Sequence, residues 1–187
     1  VLTTLFSTDD TKKNEDFSEK TIAELVRACF EMGKVKTGAL IVIERGTPLG
    51  EIERTGIEVD GIVTSQLLIN IFEHNTPLHD GAVVIRGNRV TAATCYLPLS
   101  DNMDISKALG TRHRAAVGVS EATDSVTLVV SEETGRVSVA VSGRLKSVKD
   151  GNELRDILSV LVKRETENTG RFRIWKGRRR NERKADE

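Results

Sequence analysis

Three stretches read as short strands buried in a core: "GALIVIE" at 38–44, "GAVVIRGNRVTAATC" at 81–95 and "SVTLVVSEETGRVSVAVSG" at 125–143. The first is a short continuous apolar run after a glycine, the pattern of a strand buried in a sheet, and the third gives two alternating strands. The second stretch divides at Gly87 and Asn88 into two halves, a hairpin signature, and the third divides about a Glu-Glu-Thr-Gly turn. Between and around them lie segments of helical period. Ser18 is placed as an N-cap for Ile22, Leu25, Val26 and Cys29, with Gly33 as the stop. "TSQLLINIF" at 64–72 predicts a second helix, "ISKALG" a short one, and another starts near Thr111. "DGNELRDILSVLVKRE" predicts a last helix, capped near Asp150 or Asn152, with Leu154, Ile157, Leu158 and Leu161 as its apolar stripe. Strands and helices that alternate loosely, with hairpins among them, make an α/β fold: a mixed central sheet flanked by helices.

At 187 residues, with 38% hydrophobic and 30% charged side chains, the chain suffices for one domain and is short for two. The expected division is a lead-in or linker over 1–16, a folded domain over 17–165 and a basic tail over 166–187. Lys plus Arg balances Asp plus Glu at 28 each, so no global charge points to nucleic acid, a membrane or an acidic polymer. The tail "RFRIWKGRRRNERKADE" reads as a solvated, solubilising run rather than a lipid or nucleic-acid contact. Cys29 and Cys95 sit in apolar segments without metal or redox spacing, which suits buried reduced thiols and an intracellular protein. No run approaches the roughly 18 apolar residues of a membrane span, so the chain as given is expected to be soluble.

Three clusters carry chemistry. In "GTRHR", Gly110 ends one element and Thr111 is placed to cap the next, whose first turn carries Arg112, His113 and Arg114. Helix N–H groups and arginines together suit phosphate oxygens; spacing alone suits surface ion pairs equally well. In "HDGA", the small residues Gly81 and Ala82 leave room for something to approach Asp80, whose carboxylate can accept a hydroxyl proton or hold a cation beside the imidazole of His79. Read by itself, an Asp-Gly pair is a turn. In "SEETG", Ser131, Glu132 and Glu133 stand at a strand end, either as a solvated tip or as ligands to a metal or ribose. P-loop, G-x-G-x-x-G and G-x-S-x-G patterns are absent from the sequence, so any phosphate would be held by arginine and helix-end donors.

"LHDGAVVI" followed by "GTRHRAAVG", with "GALIVIERGTPL" and "SEETGRVSVA" flanking them, resembles the Asp-Gly-Ala and Arg-His-Arg motifs of diadenylate cyclase domains from about Phe17 to Leu161. The membrane-anchored CdaA type is the nearest class. By that resemblance the full-length protein would sit at the cytoplasmic face of a bacterial membrane and this chain would be its soluble catalytic domain. The resemblance implies condensation of two ATP into cyclic di-AMP and two pyrophosphates with Mn²⁺, Mg²⁺ or Co²⁺. It implies that Asp80 activates the ribose 3′-hydroxyl, with Gly81 permitting close approach, and that His79, Asp80 and Glu133 are metal ligands. Gly110, Thr111, Arg112, His113, Arg114 and Ser131 would hold the triphosphate, and Tyr96 and Leu97 the adenine. It further implies a face-to-face homodimer, and a YbbR-domain membrane regulator and phosphoglucosamine mutase as partners, with no nucleic acid. Two other classes remain: a non-catalytic adenine-nucleotide sensor, disfavoured by the intact Asp80, Gly81 and Ala82, and a membrane-surface or nucleic-acid binding module working through the tail.

Overall fold

The computed structural model describes residues 17–102 and 109–160. The lead-in, most of the helix expected over "ISKALG", Leu161 of the last helix and the basic tail lie outside the described residues. Within them, the strands β1 (Ala39–Ile43), β2 (Ile57–Ile62), β3 (Ala82–Arg86), β4 (Arg89–Cys95), β5 (Val126–Val130), β6 (Val137–Val141) and β7 (Arg144–Ser147) form one sheet in the order β2-β4-β3-β1-β5-β6-β7. β1 and β3 run parallel and the other neighbours antiparallel. The sheet is therefore mixed, as the alternation of elements predicts.

The two-residue period of the central strands sorts their side chains to opposite faces. Ile41, Ile43, Val83, Ile85 and Leu128 pack on one side with Ile22 and Leu25 of α1 (Glu19–Lys34), Leu68 and Phe72 of α3 (Ser65–Phe72), and Leu154 and Leu158 of α5 (151–160). Leu40, Val42, Val84 and Val129 pack on the other, with Leu49 and Ile52 at the short α2 (Gly50–Glu53) and with Ala115, Ala116 and Val119 of α4 (Thr111–Ala122). Burial of both faces explains the continuous apolar runs. Two of the expected caps are present, Thr21 N–H donating to Ser18 Oγ and Asn152 and Glu153 N–H to Asp150 Oδ1, and Leu67 N–H donates in the same way to Thr64 Oγ1. Both cysteines are free and buried; burial pushes the Cys29 thiol up to about 12 and that of Cys95 up to about 11.

Gly33 is not the stop of α1. The helix runs to Lys34 and closes with Thr37 N–H on Met32 O (2.9 Å) and Lys36 N–H on Gly33 O (3.2 Å), Lys36 taking the left-handed turn at φ 56. Gly33 is needed for contact instead. A Cβ there would lie 2.5 Å from the carbonyl oxygen of Gly135, and one on Gly135 (φ +71) would lie 2.2 Å from that of Gly33. The end of α1 and the 131–136 turn thus meet backbone to backbone. Gly33→Ala should lower stability by about 1–2 kcal/mol although alanine is the better helix former, because relieving the clash costs more than the roughly 1 kcal/mol of propensity gained. Urea unfolding checks this, and an unchanged or raised midpoint would show that the turn gives way freely.

α2, β2 and β7 carry no clear period in the sequence. β2 is a largely exposed edge strand broken by a bulge between Glu58 and Gly61, with Asp60 at φ 46. β7 is four mostly exposed residues reached by a two-residue turn in which Ser142 and Gly143 both have positive φ.

Candidate active site

Strand directions gather the three chemical clusters at one end of the sheet. β1 and β3 are parallel, so Gly38 and Gly81 precede them at the same end. Val130 of β5 pairs Ala39, and Cys95 of β4 pairs Ala82, which brings "SEETG" and "YLPL" to that end also. α4 joins them through Arg112, whose Nη1 donates to Glu132 Oε2 at 2.6 Å. Gly38 lies directly beneath: a Cβ there would be 2.9 Å from Arg112 Nη1 and 3.0 Å from Glu132 Oε2.

α4 begins with Gly110 as N-cap and no side chain bonding back to the turn; Thr111 is its exposed first residue, not its cap. An N-terminus without a side-chain cap, next to an arginine, is an anion-binding arrangement. His113 and Arg114 differ from Arg112 in what they face. His113 is buried at 8% exposure. Burial pulls its pKa below the ordinary value, the Glu133 carboxylate opposing this and the Arg112 guanidinium adding to it, so the ring is neutral at neutral pH. Arg114 turns toward the chain leaving β4: its carbonyl accepts from Ser100 N–H at 3.1 Å and its Nη1 reaches Ser100 O at 3.5 Å.

That chain is pressed onto α4. A Cβ on Gly118 would sit 2.1 Å from Pro98 O and 2.8 Å from Ser100 N, and Ser100 Oγ donates to Glu121 Oε1 at 2.9 Å. Leu97 packs against the core on this face, while Tyr96 stands 77% exposed with its N–H on Thr55 Oγ1. An exposed ring beside an anchored leucine is a surface on which a planar base can lie.

Asp80 is exposed and makes no hydrogen bond or ion pair among the described residues. Gly81 serves a different end from the one its small size suggests. It adopts φ +99, and a Cβ there would come 2.8 Å from Thr94 C and 3.0 Å from Cys95 O, so the group that approaches closely is the backbone of β4. Thr94, opposite, is itself left-handed at φ 56, and the irregular register here sets Asp80 at the head of β3. His79 Nδ1 lies 2.6 Å from Thr76 O. A carbonyl only accepts, so Nδ1 carries a proton, and in the neutral ring Nε2 is then the nitrogen with a lone pair for a ligand.

The residues expected to hold a metal are not brought into one cage. Among the described residues no three His, Cys, Asp or Glu side chains form a metal-sized group. β1 lies between β3 and β5, which separates the strand ends carrying Asp80 and Ser131 by two strand spacings, roughly 10 Å. Ser131 is occupied locally, its Oγ accepting from Thr134 N–H and its carbonyl from Gly135 N–H. Gly38 and the Glu132–Arg112 pair were not foreseen as site features; a glycine entering a strand and a second acid in "SEETG" were their only sequence signals.

The model of the DisA bacterial checkpoint controller nucleotide-binding family, DAC, matches residues 26–145. The chain is 50% identical over 166 residues to cyclic di-AMP synthase CdaA of Bacillus subtilis, an alignment covering 88% of this chain and 61% of that protein. Among solved structures it matches a double-cysteine variant of DacA from Staphylococcus aureus with TM-score 0.75 and 46% identity, over 77% of this chain and 96% of that one. It also matches a structure described as a hypothetical membrane spanning protein from Bacillus cereus, with TM-score 0.68 and 42% identity, over 70% of this chain and 64% of that one. The chain spans about three fifths of the length of its curated relatives. With the family model running from within α1 to the second residue of β7, through every element that carries the site, the chain belongs to the DAC nucleotide-binding family.

Proposed function

We propose that the chain is a diadenylate cyclase domain, joining two ATP into cyclic di-AMP with release of two pyrophosphates. The observation that carries this reading is a carboxylate without a partner among the described residues, Asp80, at the same sheet end as an arginine-bearing helix N-terminus without a side-chain cap. One group can take a hydroxyl proton; the other can take the charge of a triphosphate. The names of relatives, cyclic di-AMP synthase and diadenylate cyclase, agree with it.

In this reading Asp80 accepts the proton of one ribose 3′-hydroxyl as that oxygen bonds the α-phosphorus of the other ATP, and pyrophosphate leaves with the pair of electrons of the broken P–O bond. The second bond forms the same way. Thr111, Arg112, Arg114 and Ser131 hold the phosphates, His113 packs beneath them, and Tyr96 and Leu97 hold adenine. Each hydroxyl must attack the other nucleotide, which requires two sites facing each other across a two-fold axis, hence a homodimer. A divalent cation, Mn²⁺, Mg²⁺ or Co²⁺, fits a donor set short of a full cage, because such ions take one or two protein ligands and complete their shell with substrate phosphates and water. His79 Nε2 with Asp80, or Glu133 at the other strand end, would supply those one or two ligands. When bound, it offsets negative charge on the phosphate oxygens. No helix among the described residues is long and apolar enough to cross a membrane. The membrane-spanning description of one neighbour fits anchoring of the full-length protein at the cytoplasmic face. A YbbR-domain regulator and phosphoglucosamine mutase are the partners that this class suggests.

Incubation with ATP and Mn²⁺, followed by mass analysis of the nucleotides, tests the reading. Cyclic di-AMP with pyrophosphate is expected; ATP left intact, or cleaved only to AMP or ADP, would refute it. Arg112→Ala should weaken ATP binding and turnover together, by about 10- to 100-fold in affinity, since it deletes a charge-assisted contact present before and during reaction. Calorimetric titration with ATP measures this, and an unchanged affinity would place the triphosphate elsewhere.

A further inference from the structure

We propose that Glu132 is a positioning residue: it holds the Arg112 guanidinium across the head of β1, on the bare α-carbon of Gly38, so that the arginine meets a triphosphate already oriented. The placement of that triphosphate rests on the cyclase reading; the latch itself rests on geometry. Arg112 Nη1 and Glu132 Oε2 are 2.6 Å apart, with the arginine side chain 22% exposed. Both atoms crowd Gly38 so closely that a Cβ would fall 2.9 Å from one and 3.0 Å from the other. Any larger residue at 38 would displace the pair.

Glu132 is not carried on a loose tip. Ser131 N–H donates to Arg136 O, Gly135 N–H to Ser131 O and Thr134 N–H to Ser131 Oγ, and Gly135 abuts Gly33 of α1 backbone to backbone. The carboxylate thus has a fixed origin from which to hold a long side chain. A half-exposed ion pair adds little to folding stability, so its consequence lies in orientation. It uses one N–H of the guanidinium and leaves the rest of the fork for an anion. Holding that fork in place before binding removes the rotamer entropy that binding would otherwise cost. A carboxylate that merely neutralised Arg112 would have the opposite effect, since removing it would tighten ATP binding.

Glu132→Ala should raise the KM for ATP about tenfold with a smaller change in kcat, and leave the affinity for adenosine, which has no phosphates, unchanged. Glu132→Gln, whose amide oxygen still accepts the bond, should recover to within about threefold of wild type. In an Arg112→Ala background, Glu132→Ala should add nothing, because the two act as one unit. Independently of activity, NMR of the Arg112 guanidinium should show hindered rotation of its Nη groups in the wild type and in Glu132→Gln, and free rotation in Glu132→Ala. Tighter or unchanged ATP binding in Glu132→Ala, a matching loss of adenosine binding, or free rotation in the wild type would each overturn the proposal. Should the wild type form no cyclic product, the cyclase reading fails alone and the rotation measurement still decides the latch.

Discussion

Asp80→Asn is expected to abolish cyclic di-AMP formation while the protein stays folded and still binds ATP. The substitution keeps the shape of the side chain and removes the charge with which it takes a proton or holds a cation. Because Asp80 is exposed and without a partner among the described residues, the change should alter stability by less than about 0.5 kcal/mol. Losing a positioned base costs on the order of 10²–10⁴-fold in rate. ATP affinity should stay within about tenfold, or roughly 1.4 kcal/mol, since Arg112 and the segment at Tyr96 and Leu97 are untouched. Mass analysis of products, thermal unfolding and ATP titration on one preparation separate these effects. Wild-type turnover in this variant would remove Asp80 from the mechanism, and lost binding would make holding nucleotide or cation its larger role.

A dimer of one wild-type and one Asp80→Asn subunit should change the product rather than the rate alone. Each carboxylate serves one 3′-hydroxyl, so one phosphodiester bond forms and the other does not. Linear triphospho-diadenosine should accumulate as the cyclic product falls. The expectation needs two symmetry-related centres, each supplying one acid. Two affinity tags isolate the mixed dimer, and products are followed before subunits exchange. Cyclic product at half the wild-type rate with no linear species would mean that one subunit closes the ring alone, or that the intermediate turns over between sites, and the face-to-face mechanism would fall.

Burial periodicity in the sequence determined the central strands and the helices over them. β1 is a continuous apolar run, and β3, β5 and β6 interrupt theirs only with Arg86, Thr127 and Ser138, because both of their faces are covered; Ser18 and Asp150 announce their helices through short-range caps. Such signals are local, and local signals survive in one dimension. β2 and β7 left little trace because each is an exposed edge strand: little of it is sorted by burial, and bulges and left-handed turns break what pattern remains. The same division runs through the site. The residue types in "HDGA", "GTRHR" and "SEETG" indicated phosphate, proton and metal chemistry. Nothing in their spacing said that strand direction would place all three at one end of a sheet, or that β1 would stand between Asp80 and Ser131. The glycines were the least legible residues. Gly33, Gly38, Gly81 and Gly118 look like punctuation in sequence, yet each is small because a group distant along the chain lies where its Cβ would be: Gly135, the Arg112–Glu132 pair, Thr94 and Pro98. Packing density leaves no slack at such contacts, so only the tertiary structure decides which glycines turn the chain and which let two segments meet.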